Sequence, residues 1–419
     1  MTHFLQLLLL LVLVIVAAKL AGALAMRIGQ PAVLGEMLVG LILGPTVLDV
    51  IGWPVFLSGE ANGGASPGLL PVIRDLADIG VLLLMFVAGL ETDLVQMRRV
   101  GKVAFWAAFG GVALPMIGGA ATAVAFGLPL YWEGIFIGTI LTATSVSISA
   151  QTLLELGALR SREGAAILGA AVIDDVMGIV VLSLVVAFAR ASSTDVDLAQ
   201  VGLVALRILA FFTVAVLAGR WVGPALRWAA SLGVSQGLLA ATLVIAFVYS
   251  WAAEYIGAMA AITGAYIAGV LVAQTEFKKL VDEGIHPVTY SIFVPVFFIS
   301  IGLQANGREL GDRVAFTVVL VLVAIATKAV GCATFARLFG FTTRESVRVG
   351  AGMISRGEVG LIVAGYGLTN GLIGREIFSA SVVMVLVTTM ITPPLLRMLV
   401  PRTAGSAATV AAKSAAFPQ

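Results

Sequence analysis

The stretch "AILGAAVIDDVMGIVVLSLVVAF" (residues 166–188) is long and apolar enough to cross a bilayer, yet two adjacent carboxylates, Asp174 and Asp175, lie near its centre. A charge at the centre of a membrane helix costs about 2.5–3.5 kcal/mol, so the pair costs about 5–7 kcal/mol. The thirteen Leu, Ile, Val and Phe residues of this stretch contribute about 0.3–0.6 kcal/mol each, or about 4–8 kcal/mol together. The stretch can insert with little surplus, which favours a functional reason for keeping the acid pair.

The composition of the whole chain is that of a polytopic membrane protein. Of its 419 residues, 60% are hydrophobic and 11% charged, and the mean hydropathy is +1.08. Soluble domains carry about 25% charged residues. The single cysteine, Cys332, excludes an intrachain disulfide framework and a cysteine-based metal cluster.

Thirteen apolar stretches of about 17–27 residues predict an all-α protein with thirteen transmembrane helices. They lie near 3–26, 31–56, 69–90, 103–128, 134–156, 163–189, 199–222, 235–256, 258–275, 286–304, 314–339, 346–369 and 376–398. Loops after odd-numbered stretches, with the C-terminal tail, hold sixteen Lys and Arg residues, and loops after even-numbered stretches hold five. The positive-inside rule then predicts an extracellular N-terminus and a cytoplasmic C-terminus.

Five ionisable residues are expected deep in the membrane: Asp174, Asp175, Lys328, Arg356 and Glu358. Consecutive helical residues point about 100° apart, so the two aspartates cannot both face one partner. One can meet a buried lysine while the other faces a cavity, and Lys328 is the deep lysine available. The alternative is an ion pair that only holds helices together. For Arg356 and Glu358, mutual neutralisation and a mechanistic role both stay open.

Stretches four to six resemble stretches eleven to thirteen. The middle member of each triplet is interrupted by small and polar residues, "TATSVSIS" (142–149) in the first and "SRGE" (355–358) in the second. The offset of seven stretches is odd, so the copies cross the membrane in opposite directions. Inverted repeats with paired interrupted helices are typical of secondary transporters and indicate a midplane binding site. Carbonyls and hydroxyls freed at such breaks can coordinate a hard cation.

Four motifs in combination resemble bacterial cation:proton antiporters of the NapA type, relatives of the Kef potassium/proton antiporters. They are "TATSVSISAQTLLELG" (142–157), "AVIDDVMGIVVL" (171–182), "ATKAVG" (326–331) and "GMISRGEVGLIVA" (352–364). The resemblance implies that Asp175 is the ion-binding carboxylate. It implies that Asp174, which belongs to the same site for Na⁺ or a similar ion, forms a salt bridge with Lys328. It also implies that Thr144 and Ser145 lie at the crossover beside the ion.

The same resemblance implies a six-helix core domain, a panel domain that forms a homodimer, and a linker helix between them. The corresponding segments are 1–102 (panel), 103–190 (core), 191–234 (linker), 235–312 (panel), 313–400 (core) and 401–419 (short tail). We expect the inner membrane of a bacterium as the location. We expect no nucleic-acid partner, and no cofactor beyond the transported cation and proton. Kef-type members carry a nucleotide-binding domain that this sequence does not show, so no soluble regulatory domain is expected.

The sequence therefore predicts an antiporter, not an enzyme, that exchanges Na⁺, or Li⁺ or K⁺, for protons by electrogenic, elevator-type alternating access. Two alternatives of transport stay open: a K⁺/H⁺ antiporter, and a sodium-coupled organic-anion symporter of the same architecture. An intramembrane aspartyl protease is disfavoured, because a catalytic dyad needs carboxylates facing each other from two helices, whereas Asp174 and Asp175 are adjacent on one.

Overall fold

The computed structural model describes residues 2–28, 30–57, 68–190, 198–303 and 313–400. Its helices are α1 (His3–Arg27), α2 (Ala32–Leu43), α3 (Pro54–Leu57), α4 (Leu69–Glu91), α5 (Leu94–Ala125), α6 (Ile135–Thr142), α7 (Val146–Glu155), α8 (Arg162–Arg190), α9 (Leu198–Ser231), α10 (Gly237–Tyr255), α11 (Ala261–Val272), α12 (Lys278–Val288), α13 (Val294–Leu303), α14 (Val314–Leu338), α15 (Thr343–Gly352), α16 (Gly357–Thr369) and α17 (Arg375–Leu399). The predicted tail, 401–419, and the first residues of the predicted linker segment, 191–197, lie outside the described residues.

The helices form a multi-pass membrane fold. Within the described ranges, nine helical segments are long and apolar enough to cross a membrane, with α6 and α7 counted as one segment and α12 and α13 as another. Three shorter apolar helices lie at Ala32–Leu43, Ala261–Val272 and Val359–Leu368. Helices occupy each of the thirteen apolar stretches of the sequence. The all-helical membrane class is confirmed, and the full number of crossings stays a prediction.

Helix α1 shows how a peripheral apolar helix is accommodated. Its buried residues follow one another at intervals of three or four, from Gln6 through Leu10 and Val14 to Ala25, and so form one stripe. Leucines elsewhere on the helix, such as Leu20 and Leu24, are exposed. In a bilayer these exposed faces meet lipid, so a helix apolar on every side needs only a narrow contact with its neighbours.

The helices pack as two groups, which supply different walls of the site. In one group α5 packs against α6, α8 and α14, and α14 packs against α15 and α17. In the other, α4 packs against α11 and α13, α2 against α1 and α13, and α10 against α11. The backbones of α5 and α14 touch at Gly110 and Gly331, where a Cβ on Gly110 would lie 2.5 Å from the Gly331 carbonyl oxygen. Such small-residue contacts let membrane helices approach closely.

Both interrupted helices break where the sequence places polar and small residues. The first break separates α6 from α7 at residues 143–145, and the second separates α15 from α16 at residues 353–356. The two breaks meet, because the amide of Ser145 donates to the carbonyl of Ser355 at 2.9 Å. Gly357 follows the second break with a φ of +44°, a conformation that favours glycine.

The exposed start of α15 carries a capping box. The Thr342 side chain accepts a hydrogen bond from the Glu345 amide, and the Glu345 carboxylate accepts one from the Thr342 amide at 2.7 Å. Burial by itself raises the pKa of Glu345, but the hydrogen bonds from Thr342 and the nearby Arg162 guanidinium outweigh it, so the pKa lies below its usual value. The charged carboxylate therefore stabilises the start of this helix.

Candidate functional site

The centre of the site is a set of backbone carbonyls left unpaired by the break after α6. The last carbonyls of any helix lack intrahelical partners, and here the break leaves those of Thr142 and Ala143 inside the protein. Lys328 Nζ donates to the Thr142 carbonyl at 2.8 Å, and the Arg356 guanidinium donates to the Ala143 carbonyl at 3.0 Å. Two positively charged side chains, those of Lys328 and Arg356, therefore lie at the negative end of the α6 dipole, where positive charge is stabilised.

Asp174 and Lys328 form a buried ion pair. Lys328 Nζ lies 2.8 Å from Asp174 Oδ1, and the two side chains are 0% and 2% exposed, respectively. Lys328 comes from α14 and Asp174 from α8, and both helices pack on α5, so the pair lies within one helix group. The ammonium group of Lys328 thus donates both to a carboxylate and to the Thr142 carbonyl at the end of α6.

Arg356 binds backbone and lies at the second break. Its guanidinium donates to the carbonyls of Ala143 and Ala324, both at 3.0 Å, and the side chain is fully buried. These bonds tie α14, the first break and the second break together. The side chain of its sequence-predicted partner, Glu358, lies outside the described residues, so the Arg356–Glu358 pair stays a prediction.

Asp175 lies on the wall of a cavity. Its Oδ2 accepts a hydrogen bond from the hydroxyl of Thr263 on α11 at 2.9 Å. The cavity has a volume of about 550 Å³ and is lined by both Asp174 and Asp175, together with residues of α4, α6, α10, α11 and α16. The adjacent aspartates therefore have different environments: one is paired to a lysine inside its helix group, and the other bonds to a helix of the second group.

The two predicted crossover residues point to different places. Thr144 lines the cavity, and its buried hydroxyl has no hydrogen-bond partner. A buried polar group without a partner is expensive unless something binds it. Ser145 is fully buried, its hydroxyl lies 2.8 Å from that of Ser147, and it is not among the cavity-lining residues. Thr144 thus brings an unpartnered hydroxyl to the cavity, whereas the amide of Ser145 joins the two breaks.

Two more acids line the same cavity, Asp78 on α4 and Glu254 near the end of α10. Four carboxylates thus line the cavity from both helix groups, and the three that are not paired with Lys328 produce a negative field that attracts cations. Among the described residues, no group of three or more His, Cys, Asp or Glu side chains could hold a resident metal ion. The available donors are carboxylate, hydroxyl and carbonyl oxygens, which suit a hard cation that passes through.

Sequence reasoning missed Thr263 and Glu254. Thr263 lies in "AMAAITGAYIAGVLVAQ" (258–274), where a threonine among small residues is typical of ordinary helix packing. The only available signal was that this stretch is unusually short, since short or interrupted membrane segments often border a binding site. Glu254 lies near the end of an apolar stretch, a position that gave no reason to connect it with the aspartates.

Three comparisons with known proteins point to one family. The family model "Sodium/hydrogen exchanger, transmembrane" matches residues 12–401. Over 387 residues the chain is 43% identical to the probable Na⁺/H⁺ antiporter GerT of Bacillus cereus, covering 92% of this chain and 97% of the relative. It is 41% identical to the Na⁺/H⁺-K⁺ antiporter GerN of the same organism, covering 92% and 94%.

A solved structure shares the fold. It is that of the sodium proton antiporter MjNhaP1 from Methanocaldococcus jannaschii, with a TM-score of 0.68 over 98% of this chain and 97% of that chain, at 15% identity. The shared fold and the sequence matches agree. The chain belongs to the transmembrane sodium/hydrogen exchanger family.

Proposed function

We propose that the protein exchanges a monovalent cation, with Na⁺ as the first candidate, for protons at the carboxylate of Asp175. Membership of an exchanger family makes the chain a transporter and not an enzyme. The observation that carries the proposal is the contrast between two adjacent acids. Asp174 is ion-paired with Lys328 at 2.8 Å, whereas Asp175 lies on the wall of the cavity with a hydroxyl bonded to it.

Exchange follows from competition at one carboxylate. A proton on Asp175 removes the negative charge that a desolvated cation needs, so the two ligands bind in turn. The Asp175 oxygens and the Thr144 hydroxyl both belong to the cavity and can replace water around a cation. Thr263, which donates to the ionised carboxylate, stabilises the form that accepts the cation.

The ion pair gives a route to electrogenic exchange. A cation that also draws on Asp174, the second predicted metal-ion ligand, weakens the attraction that keeps Lys328 charged in a fully buried position. Loss of the lysine proton together with the Asp175 proton would move two protons for one cation. Without the cation, the pair keeps Asp174 neutralised and limits leakage of charge.

We infer that transport is an elevator-type movement of a core against a panel. The proposed core comprises 103–190 and 313–400, and the panel, with its predicted dimer interface, comprises 1–102 and 235–312. The two breaks that meet at Ser145 and Ser355 support the inverted repeat and the thirteen crossings. The Asp175–Thr263 hydrogen bond joins α8 to α11, so movement of one group against the other breaks it.

The test is cation-driven proton release from acid-loaded proteoliposomes. We expect the protein to eject protons at once when NaCl is added, and D175N to eject none. D75N is the matched control, because Asp75 is exposed on α4 and does not line the cavity. Robust proton movement in D175N would refute the site.

The same vesicles separate the alternatives. LiCl and KCl, compared with NaCl across pH, identify the cation, and K⁺ is included because the name of GerN includes it. Cation uptake without proton release would instead support a symporter.

A further inference from the structure

A second, larger cavity has neither Asp174 nor Asp175 in its lining. Its volume is about 800 Å³, in the range of ligand pockets, and its walls come from the start of α5, from Val172 within α8, and from α9 and α11. It therefore lies between the two helix groups and reaches the ends of helices where the sequence places its basic loops. The proposed exchange reaction uses none of its residues.

The polar end of this cavity is positively charged. Arg98, Arg220 and Arg227 line it together with one acid, Glu276. Arg227 and Glu276 are 3.8 Å apart and both are 62% exposed, so their attraction is weak. Three guanidinium groups against one carboxylate leave a net positive charge of two, and guanidinium groups suit phosphate oxygens through paired hydrogen bonds.

The remaining wall is apolar and continuous with the lipid-facing surface. Phe212, Val216, Ile267, Val270 and Leu271 line the cavity, and Val216 is 71% exposed. In the apolar membrane-spanning part of α9, within Gly202–Ser231, only 17% of the residues are buried inside the protein. An acyl chain can therefore enter the cavity sideways from the bilayer.

Tryptophans on α9 place the arginines at the edge of the bilayer. Trp221 and Trp228 each follow one of the cavity arginines directly in sequence and are 68% and 66% exposed. Tryptophan is enriched at the headgroup level of membranes. By the positive-inside pattern this edge is the cytoplasmic one, where anionic lipids attract basic side chains.

We propose that this cavity is a binding site for a glycerophospholipid with a net negative headgroup. Its phosphate binds Arg98, Arg220 and Arg227, and its glycerol and acyl carbons lie against the apolar wall of α9 and α11. A free phosphate has the same headgroup chemistry but leaves the apolar wall uncovered, which is why the lipid is the occupant that fits. The proposal concerns binding and does not depend on the exchange reaction.

The experiment measures the melting temperature of the purified full-length protein during titration with phosphatidylglycerol. Neutral phosphatidylcholine and inorganic phosphate are titrated in parallel. We expect phosphatidylglycerol alone to raise the melting temperature. In the double variant R98Q/R220Q the half-saturating lipid concentration should rise about 30-fold, from the worth of two basic side chains near an anionic surface.

The control is R99Q/R344Q, which removes the same charge. Arg99 and Arg344 are exposed, lie in other parts of the predicted cytoplasmic surface or beside Arg98, and do not line the cavity. The control should respond to phosphatidylglycerol as the unmodified protein does. Equal weakening in both double variants would overturn the proposal by showing a diffuse charge effect. An equal shift with inorganic phosphate or phosphatidylcholine would overturn the choice of an anionic lipid.

Discussion

Replacing Lys328 with Met should leave Asp174 as a buried acid without its cation. The methionine fills a similar volume, so the change removes charge and hydrogen bonds more than packing. Lys328 Nζ bonds to Asp174 and to the Thr142 carbonyl, both at 2.8 Å, and the variant loses both bonds.

The size of the effect follows from distance and burial. Two unit charges 2.8 Å apart attract by about 6 kcal/mol at an effective dielectric constant of about 20. Desolvation cancels much of this, but removing one partner of a buried pair still costs about 3–5 kcal/mol, because the other charge stays buried. The melting temperature falls by about 2–4 °C per kcal/mol in domains of about 150–250 residues. On that scale, which is an upper limit for a longer chain, the melting temperature of K328M should fall by about 6–20 °C.

The assay uses the single cysteine of the chain. Cys332 is fully buried on α14, one turn after Lys328, so a thiol-reactive dye in neutral detergent reports unfolding of the helix group that holds the pair. K19M gives an intermediate case. Lys19 is only half-exposed and its partner Glu36 is buried, so a second control, K279M, is added. Lys279 is 87% exposed and 3.8 Å from Glu283, itself 61% exposed, and its loss should cost less than about 1 kcal/mol.

The double variant D174N/K328M decides whether the loss comes from an unpaired charge. Removing both partners of a buried pair is often neutral for stability, so the double variant should melt closer to the unmodified protein than K328M does. If the losses of D174N and K328M simply add in the double variant, the two side chains are not energetically coupled, and the reasoning is refuted.

Three further predictions concern the crossover and its surroundings. T263V removes the hydrogen bond to Asp175, and a bond to a charged group is worth about 1.5–3 kcal/mol. The proton should therefore compete better for the carboxylate, and the half-saturating Na⁺ concentration should rise about 10- to 150-fold. T263S keeps the hydroxyl and should leave that concentration unchanged. G357A adds a Cβ against Ser145 at a positive φ, and should lower stability by about 1–3 kcal/mol in thermal melts. E345A should lower stability at neutral pH, and this loss should shrink as the medium becomes acidic: the folded-state pKa is depressed, so the contribution is present above the ordinary value near pH 4 and is lost as pH falls through the lower folded value. Equal Na⁺ dependence for T263V and T263S, an unchanged melt for G357A, or a pH-independent loss for E345A would contradict these accounts in turn.

Much of the fold could be predicted because a long apolar stretch with few charged residues has few structures open to it in a bilayer other than a membrane-spanning helix. The low share of charged residues predicts the membrane class, and the interrupted stretches predict two broken helices, which the structure shows at 143–145 and 353–356. Deep charges are conspicuous because each is expensive. Helical geometry also predicts that Asp174 and Asp175 have different partners, and the structure brings Asp174 to Lys328.

The rest could not be predicted because it depends on which helices touch. Thr263 is one of many threonines in an apolar chain, and only the packing of α11 beside α8 brings its hydroxyl to Asp175. The sequence relates Arg356 to Glu358, a pair that stays a prediction, and gives no sign that the guanidinium donates to the carbonyls of Ala143 and Ala324, 213 and 32 residues away. Backbone carbonyls exposed by a break carry no signature in side-chain sequence.

Under the proposed elevator movement, the positions of the two acids give them different roles. Asp174 and Lys328 belong to helices of the same packed group, so their bond can survive movement of that group through the membrane. Asp175 bonds across the boundary to Thr263, so its hydrogen bond must break whenever the groups move apart. An ionised carboxylate that loses its hydrogen-bond donor in a low-dielectric setting must gain a different partner, either a proton or a cation. Under the proposed mechanism, movement of the empty, ionised site is therefore the unfavourable step, and this penalty couples the two fluxes.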